Sequence, residues 1–300
     1  MNDEIYQKYI KAGKIASQAR EYGKNLIKPE VKFLDVAEKI EEKITNLGAK
    51  ISFPVNIAIN DLAAHYSPRH DDKLVFKKGD LVKLDVGTHV DGYIADTATT
   101  IEVSTNNHKD LIDASKDALE LAISNMKAGI NVSEIGKIVE EKIKSFGYKP
   151  INNLTGHSLK RYVLHAGLAI PSYHDITNRA KPEVDDVVAI EPFATDGGGH
   201  VVADKGSNIY LCNNTVKTRF IRDKRSKMMY QRIYSKFKSL PFAQRWIEES
   251  FGNSDIVLRK LSYLGFLKHY PQLLEQRNGL VSQKEHTVII NEEGCEVTTA

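Results

Sequence analysis

The sequence predicts an α+β fold built from two related halves, each with two helices and a set of antiparallel strands. Pairs of amphipathic helices precede strand-like sequence in both halves, and residues 81–100 read as a β-hairpin. Asp80–Asp85 also resembles Asp186–Glu191, because each is a run of four mostly apolar residues between two acids. Two such halves would place Asp85 and Glu191 near one pseudo-twofold axis. We expect residues 1–300 to form a single catalytic domain.

Composition indicates an ordinary globular protein. The chain has 300 residues, of which 41% are hydrophobic and 27% charged, and its net charge of +3 is too small to indicate nucleic-acid binding. Cys212 and Cys295 are far apart and lack CxxC spacing, so neither a disulfide framework nor a zinc–thiolate site is expected. No apolar run approaches the roughly 18 residues of a membrane span. We therefore expect a cytoplasmic protein with no membrane partner.

The first half begins with two helices. Apolar residues recur at helical spacing from Ile5 to Tyr22, and Pro29 should stop this helix; the period resumes at Phe33 and ends at Gly48. An extended segment then leads to His65. A lone histidine beside two alanines is more often structural than catalytic, so the residues alone leave its role open.

The predicted hairpin carries the most informative pair of side chains. Asp91-Gly92 is a strong two-residue turn signal, and such a turn keeps Asp85 and Asp96 on one face of the sheet as direct or diagonal neighbours. Two carboxylates in apolar strands repel each other unless they share a proton or a cation. The hairpin therefore predicts an acid/base dyad or a metal site, rather than a turn cap beside a solvated aspartate.

The second half repeats the plan. Apolar residues at helical spacing predict one helix ended by Gly129 and another ended by Gly147. His157 and His165 follow, eight residues apart, and on a strand or a loosely extended segment this even spacing would direct both to one face. A glycine-rich loop with incidental histidines is an equally reasonable interpretation. Residues 195–199 predict a flexible turn, which lacks the features of a phosphate loop.

A last strand beginning near Glu285 completes a set of acids and one imidazole in strand-like sequence. The five candidate ligands are Asp85, Asp96, His157, Glu191 and Glu285. Oxygen-rich sets of this kind suit two divalent ions held by bridging carboxylates. The pattern predicts two-metal hydrolysis.

Five motifs together resemble the type II methionine aminopeptidases, a family with the pita-bread fold: LAAHYSP, LDVGTHVDGYIADTATT, TGHSLKRYVLHAG, AIEPF and KEHTVII. The resemblance implies that the five candidates are the metal ligands and that Asp96 and Glu285 bridge both ions. It also implies that Glu191 and His65 act in catalysis and that His65 and His165 contact the substrate.

The type II assignment rests on a long insertion before Glu285. This helical subdomain, about 216–280, contains residues 240–246 and 269–273, which resemble the type II subdomain. The resemblance implies that Tyr270 lines a methionine pocket with Phe53 and Leu164. A helical apolar face is also predicted in the insertion, formed by Phe220, Ile221, Met229, Ile233 and Phe237.

The resemblance implies removal of the initiator methionine from nascent proteins and peptides, with a preference for a small second residue. Two divalent ions per chain are expected, of cobalt, manganese, iron or zinc, and the chain is expected to be a monomer. It looks like the short archaeal form, because a lysine-rich N-terminal extension is absent. Lys160 departs from the family pattern, which usually has glycine there, and the turn before His200 also differs.

Two alternatives stay open. Xaa-Pro aminopeptidases and prolidases share these ligands, but the long insertion and the absence of a second N-terminal domain weigh against them. Some family relatives bind ribosomes or nucleic acids instead of catalysing a reaction, and a basic run fits such binding, although it is more often a solvated helix face. The run comprises Lys217, Arg219, Arg222, Lys224, Arg225 and Lys227.

Overall fold

A computed structural model describes residues 1–213, 215 and 218–300. The described part of the chain contains seven α-helices and fifteen strands. The helices are α1 (Asp3–Leu26), α2 (Phe33–Asn46), α3 (Lys109–Asn125), α4 (Val132–Ser145), α5 (Lys224–Phe237), α6 (Gln244–Phe251) and α7 (Ser254–Tyr263). No described helix is long and apolar enough to cross a membrane.

The first seven strands, which run from the first half into the start of the second, are short to medium in length. They are β1 (Lys50–Ile59), β2 (Leu62–Ala64), β3 (Leu81–Val90), β4 (Tyr93–Glu102), β5 (Lys149–Pro150), β6 (Thr155–Ser158) and β7 (Ala169–Pro171). The remaining strands are β8 (Val187–Ile190), β9 (Phe193–Thr195), β10 (Val201–Cys212), β11 (Phe242–Ala243), β12 (Leu267–Glu275), β13 (Val281–Gln283), β14 (His286–Ile290) and β15 (Cys295–Val297).

The first half is a three-stranded antiparallel sheet, β1-β3-β4, covered by α1 and α2. Asn2 caps α1 by accepting a hydrogen bond from the backbone N–H of Ile5, and the helix ends at Leu26, just before Pro29. The predicted two-residue turn is confirmed: β3 ends at Val90, β4 begins at Tyr93, and both turn residues have positive φ. Aliphatic side chains of α1, α2 and the sheet form one buried core.

The second half has the same arrangement of helices on a sheet. α3 and α4 pack beside the five-stranded sheet β15-β14-β8-β6-β7, and their apolar faces form a second buried core. Like α2, α4 is followed by a glycine with positive φ, Gly48 in one half and Gly147 in the other. The predicted helix ends are therefore present in both halves.

The two halves meet along β4. The backbone N–H of Asp96 donates to Oγ1 of Thr287 over 2.8 Å, and the N–H of Glu285 donates to the carbonyl of Ala98 over 3.1 Å. Oγ1 of Thr97 in turn donates to the carbonyl of Glu285 over 2.9 Å. These bonds hold the hairpin of the first half against the segment that enters β14.

The inserted segment packs its helices around a third core between β10 and β12. Met229 and Ile233 are buried in α5 as predicted, and Ile221 is buried just before it. Phe220 was predicted for the same face, but it lies in a short 3₁₀ turn before α5 and is 59% exposed. Phe237 is partly buried at the end of α5.

The predicted segment 216–280 is not helical throughout, because it also contains β12, which pairs with β10 and β2. Its predicted first residue, Val216, lies outside the described residues, as does Lys217 of the basic run.

The turn at residues 195–199, predicted to be flexible, is held by a buried carboxylate. Glu275 accepts hydrogen bonds from the backbone N–H groups of Gly198, Gly199 and Gly279. A side chain at Gly197 would collide with this carboxylate, since an added Cβ would lie 2.3 Å from Oε2. The glycines therefore let the backbone close around Glu275.

Candidate active site

An open cavity of about 70 Å³ lies where the two halves meet. Its wall contains every site residue predicted from the sequence, together with five others. The lining residues are Phe53, Asn56, Ala64, His65, Asp85, Asp96, His157, Leu164, His165, Glu191, Ile209, Pro241, Tyr270, Gln283 and Glu285.

Asp85 and Asp96 reach the cavity from neighbouring strands of the hairpin. Asp85 is opposite Ala98 and Asp96 is opposite Gly87, so the two aspartates are diagonal neighbours on one face. Oδ1 of each carboxylate is buried and has no hydrogen-bond partner among the described residues. Unpaired buried carboxylate oxygens are costly, so this face is suited to binding a cation.

The second half supplies an imidazole and a carboxylate at the ends of short strands. Nε2 of His157 in β6 lies 3.7 Å from Oδ2 of Asp96 and 3.6 Å from Oε1 of Glu191, the residue that follows β8. Glu285 lies between β13 and β14 and is buried. Ligand-type atoms of Asp96, His157 and Glu285 all lie within 4.8 Å of one another.

The acids of the cavity strongly favour their protonated forms in the absence of a cation. Burial raises the pKa of Asp85 to about 7. Burial, reinforced by mutual repulsion, raises the pKa values of Asp96, Glu191 and Glu285 well above the ordinary range. Burial also lowers the pKa of His157 to about 3, which keeps its imidazole neutral. Four acids and a neutral imidazole are donors that fit divalent metal ions.

The remaining predicted residues surround this cluster. His65 follows β2 with φ of 63°, and the centroid of its ring lies 5.2 Å from that of Tyr270 in β12. The ring of His165 lies 4.5 Å from the ring of His157. Burial lowers the pKa of His65 to about 4 and also lowers that of His165. Both imidazoles are therefore neutral near pH 7.

His165 reaches the cavity by a different route from the one its spacing suggested. β6 ends at Ser158, and Leu164 and His165 lie in the loop before β7. A tight turn in this loop, in which Lys160 and Val163 exchange backbone hydrogen bonds, returns the chain towards the site. Both histidines line one cavity, as their even spacing predicted, although only His157 lies on a strand.

Sequence reasoning missed five lining residues, of which two are polar. Asn56 is the β1 partner of Asp85, and its Oδ1 is buried without a hydrogen-bond partner among the described residues. Gln283 donates from Nε2 to Oε2 of Glu191 over 3.2 Å. The alternation of β13 with Glu285 could have indicated Gln283, whereas Asn56 required the register of β1. The others are Ala64, Ile209 and Pro241.

The turn that precedes His200 lies away from this cavity. Nδ1 of His200 is 2.8 Å from Oδ1 of Asn152, and its ring lines a different surface depression. This histidine is therefore not part of the site. Chemically, the cavity combines metal-binding acids, neutral imidazoles and an apolar wall, which suits the hydrolysis of a bond next to an apolar side chain.

Comparisons with known proteins agree with this chemistry. The model of metallopeptidase family M24 matches residues 7–220. The chain is 47% identical over 299 residues to the methionine aminopeptidase of Methanocaldococcus jannaschii, covering 100% of both chains. It is 44% identical to the methionine aminopeptidase of Pyrococcus abyssi, covering 97% of this chain and 98% of the relative.

Solved structures show the same fold at low identity. A thermophilic Arx1 superposes with a TM-score of 0.86 at 17% identity, covering 99% of this chain and 91% of that one. The prolidase of Pyrococcus furiosus superposes with a TM-score of 0.64 at 19% identity, covering 100% of this chain but 64% of the prolidase. The architecture is the pita-bread fold expected from the sequence.

Proposed function

The chain belongs to metallopeptidase family M24, and from this premise we propose that it removes N-terminal methionine from peptides and nascent proteins by metal-dependent hydrolysis. The observation that carries the proposal is the convergence of four acids and one imidazole on a cavity with an apolar wall. Action on nascent chains would place this activity in the cytoplasm.

Two divalent ions would be held by the five predicted ligands, with Asp96 and Glu285 shared between them. The central position of Asp96 supports this, because it neighbours Asp85 in the hairpin, lies 3.7 Å from His157 and is bonded through its backbone to the segment that carries Glu285. Such ions act as Lewis acids and make water more acidic. The donor set would accept cobalt, manganese, iron or zinc.

We assign to Glu191 the role of general base, which takes the proton of the attacking water. Its carboxylate is oriented by Gln283 and lies beside His157, so it is placed to accept a proton from the attacking water. Neutral His65 and His165 can each donate a hydrogen bond, and we assign them to the tetrahedral intermediate and the leaving amide.

The methionine side chain is assigned to the apolar part of the wall. Phe53 and Leu164 are almost fully buried, and Tyr270 faces the same cavity from β12. The rings of His157 and His165 meet edge to face in the cavity wall, and we assign the preference for a small second residue to crowding beside them. This selection would be modest, because one methylene in an apolar pocket is worth about 1–3 kcal/mol.

The test is release of free methionine from Met-Gly and Met-Val peptides by metal-stripped protein to which each divalent ion is restored. We expect metal-dependent release that Asp96→Ala lowers by at least about a thousandfold, since the change removes a shared ligand. Glu120→Ala, which removes an exposed carboxylate from α3, is the matched control and should keep full activity. Release by Asp96→Ala at the wild-type rate would reject the assigned centre.

An Xaa-Pro peptide in the same assay tests the alternative peptidase. The comparisons favour the methionine aminopeptidase activity over this alternative. Relatives that match this chain over its full length are methionine aminopeptidases, whereas the prolidase shares the fold alone. Cleavage of only the Xaa-Pro peptide would move the proposal to the prolidase side.

We further propose that the basic run contacts ribosomal RNA while nascent chains are processed. Arg219, Arg222, Lys224, Arg225 and Lys227 are exposed at the start of the inserted helices. The guanidinium of Arg219 lies 5.0 Å from the ring centroid of Phe220, which is itself exposed. Cations beside an exposed aromatic ring suit phosphates and unstacked bases.

A further inference from the structure

The loop between β6 and β7 lies outside the sheets, so contacts other than strand pairing must fix its position. It carries Leu164 and His165, which lie outside the strands, whereas Asp85 and Asp96 are held by the complete ladder of the hairpin. The distance between the assigned substrate contacts and the metal-binding acids therefore depends on how this loop is attached. Its contacts with the tip of the aspartate hairpin are made by Arg161 and by Tyr162, which lies three residues before His165.

The backbone of Tyr162 is held from two sides in an unfavourable conformation. Its φ is 60°, in the left-handed region that bulky residues rarely adopt. Its N–H donates to the carbonyl of Gly92 over 2.8 Å, and its carbonyl accepts from Oγ of Ser239 over 2.5 Å. The hairpin tip and the inserted segment thus both hold the backbone of this one residue.

The ring of Tyr162 adds a second attachment to the same hairpin tip. It lies on Gly92, where an added Cβ would be 2.4 Å from ring atoms, and it meets the ring of His89 edge to face at 5.5 Å. Nζ of Lys238 lies 3.9 Å from the ring centroid. Next to it, Nε of Arg161 donates to the carbonyl of Asp91 over 2.9 Å.

We propose that Tyr162 is a positioning residue, which sets His165 and Leu164 relative to the metal-binding aspartates by locking their loop onto the tip of the aspartate hairpin. This inference rests on the proposed function, in which His165 contacts the substrate. The contacts use the aromatic ring and the backbone, and no described group hydrogen-bonds to the hydroxyl of Tyr162. Tyr162→Phe should therefore keep the positioning role, whereas Tyr162→Ala should lose it.

The test compares Tyr162→Ala with Tyr162→Phe in the metal-loaded enzyme. We expect alanine to lower kcat/KM for Met-Gly by about ten- to a hundredfold, the effect of a small misplacement of assigned groups. Phenylalanine should restore the wild-type value, and the metal content of all variants should be unchanged. Tyr22→Ala is the matched control, since it removes a solvent-exposed ring that also lies near a lysine, 5.7 Å from Nζ of Lys43.

A double-mutant cycle separates positioning from general loss of structure. If Tyr162 acts through His165, Tyr162→Ala should have little further effect in a His165→Ala background. Multiplicative effects of the two changes, or full activity of Tyr162→Ala, would overturn the inference. Should Tyr162→Ala fail to fold, Ser239→Ala removes one of the same backbone contacts and should lower kcat/KM in the same direction, again only while His165 is present.

A spectroscopic measurement keeps this test independent of the proposed reaction. Ring nitrogen signals of His165 should shift in Ser239→Ala, which changes no aromatic ring, while those of exposed His174 should not. An unchanged His165 signal would reject the positioning role. Wild-type protein that releases no methionine with any metal would instead reject the proposed function.

Discussion

At the scale of single residues, the site is a cluster of acids whose mutual repulsion the rest of the fold must offset. Asp85 and Asp96 lie among apolar neighbours in the hairpin, Oδ1 of each is buried without a hydrogen-bond partner among the described residues, and their negative charges repel each other. Repulsion of this kind is expected at functional sites, where pKa values are displaced for a purpose. A bound cation would relieve it by neutralising both carboxylates.

The raised pKa of Asp85 predicts how metal-free protein responds to pH. Between its ordinary pKa of 3.8 and its folded value of about 7, the folded state holds a proton that the unfolded state releases. The contribution of Asp85 to stability therefore falls as pH rises through this window. Asp85→Asn removes this titrating group. The free energy of unfolding of the variant, relative to that of wild type, should therefore rise from pH 4.5 to 7.5, by on the order of 1 kcal/mol per pH unit.

Thermal unfolding of metal-free wild type and Asp85→Asn at several pH values measures this difference. Histidines with lowered pKa values are present in both proteins, so their opposite pH dependence cancels in the comparison. A difference between Asp85→Asn and wild type that does not change with pH would contradict the assigned burial of the Asp85 carboxylate.

At the scale of elements, the short repeat noted in the sequence corresponds to a repeated structure. Oδ2 of Asp80 accepts from the N–H of Lys77, and Oδ2 of Asp186 accepts from the N–H of Glu183, both over 2.8 Å. Each turn leads directly into a strand, β3 or β8, that delivers an acid to the cavity. The two halves thus use one local device to place Asp85 and Glu191.

The inserted helices are attached to the first half by a buried ion pair. Arg245 in α6 pairs with Glu41 in α2, and Nη1 of Arg245 also donates to Oγ of Ser67 over 2.8 Å. Nε1 of Trp246 donates to the other oxygen of Glu41 over 2.8 Å. This network joins α2, α6 and the segment after His65, so it supports one wall of the cavity.

Removing the cation of this pair should be costly. We expect Arg245→Met to lower the free energy of unfolding by about 3–5 kcal/mol, because Glu41 is left as a buried charge without its partner. The double variant with Glu41→Gln should recover part of the loss. Denaturant unfolding measures both, and Lys116→Met, which breaks an exposed pair with Glu120, should change stability by less than about 1 kcal/mol. Equal losses in the buried and exposed pairs would contradict the network.

At the scale of the whole molecule, no described residue of the basic run lines the active-site cavity, so the two can be tested separately. The proposed RNA contact should depend steeply on salt, because each phosphate that binds a cation releases counterions. Changing Arg219, Arg222 and Lys224 to glutamine should weaken co-sedimentation with ribosomes and reduce its salt dependence, while methionine release from Met-Gly is unchanged.

The matched control for this experiment replaces three exposed lysines on α3 and α4 of the second half, Lys116, Lys137 and Lys144. These changes remove the same charge from a different surface and should leave co-sedimentation intact. Equal ribosome association by the variant of the basic run and by wild type would reject the RNA contact.

Local patterns predicted much of the fold and the membership of the site. Helical spacing and glycine stops located the first four helices, and a two-residue turn fixed which face of the hairpin carries Asp85 and Asp96. These features depend on neighbours in sequence, where side-chain period and turn chemistry act directly. The acids and histidines were noted from strand-like sequence, the motif resemblance assigned their roles, and the structure places all of those residues at one cavity.

The helix pairs of both halves, the aspartate hairpin and the family follow from the sequence alone. Only the tertiary structure decided that His165 arrives on a loop held by Tyr162, that Asn56 and Gln283 join the cavity, and that Phe220 faces solvent. The physical reason is that these positions are set by contacts between residues far apart in the chain. No local period or turn signal encodes which strand, hairpin tip or helix end will lie opposite them.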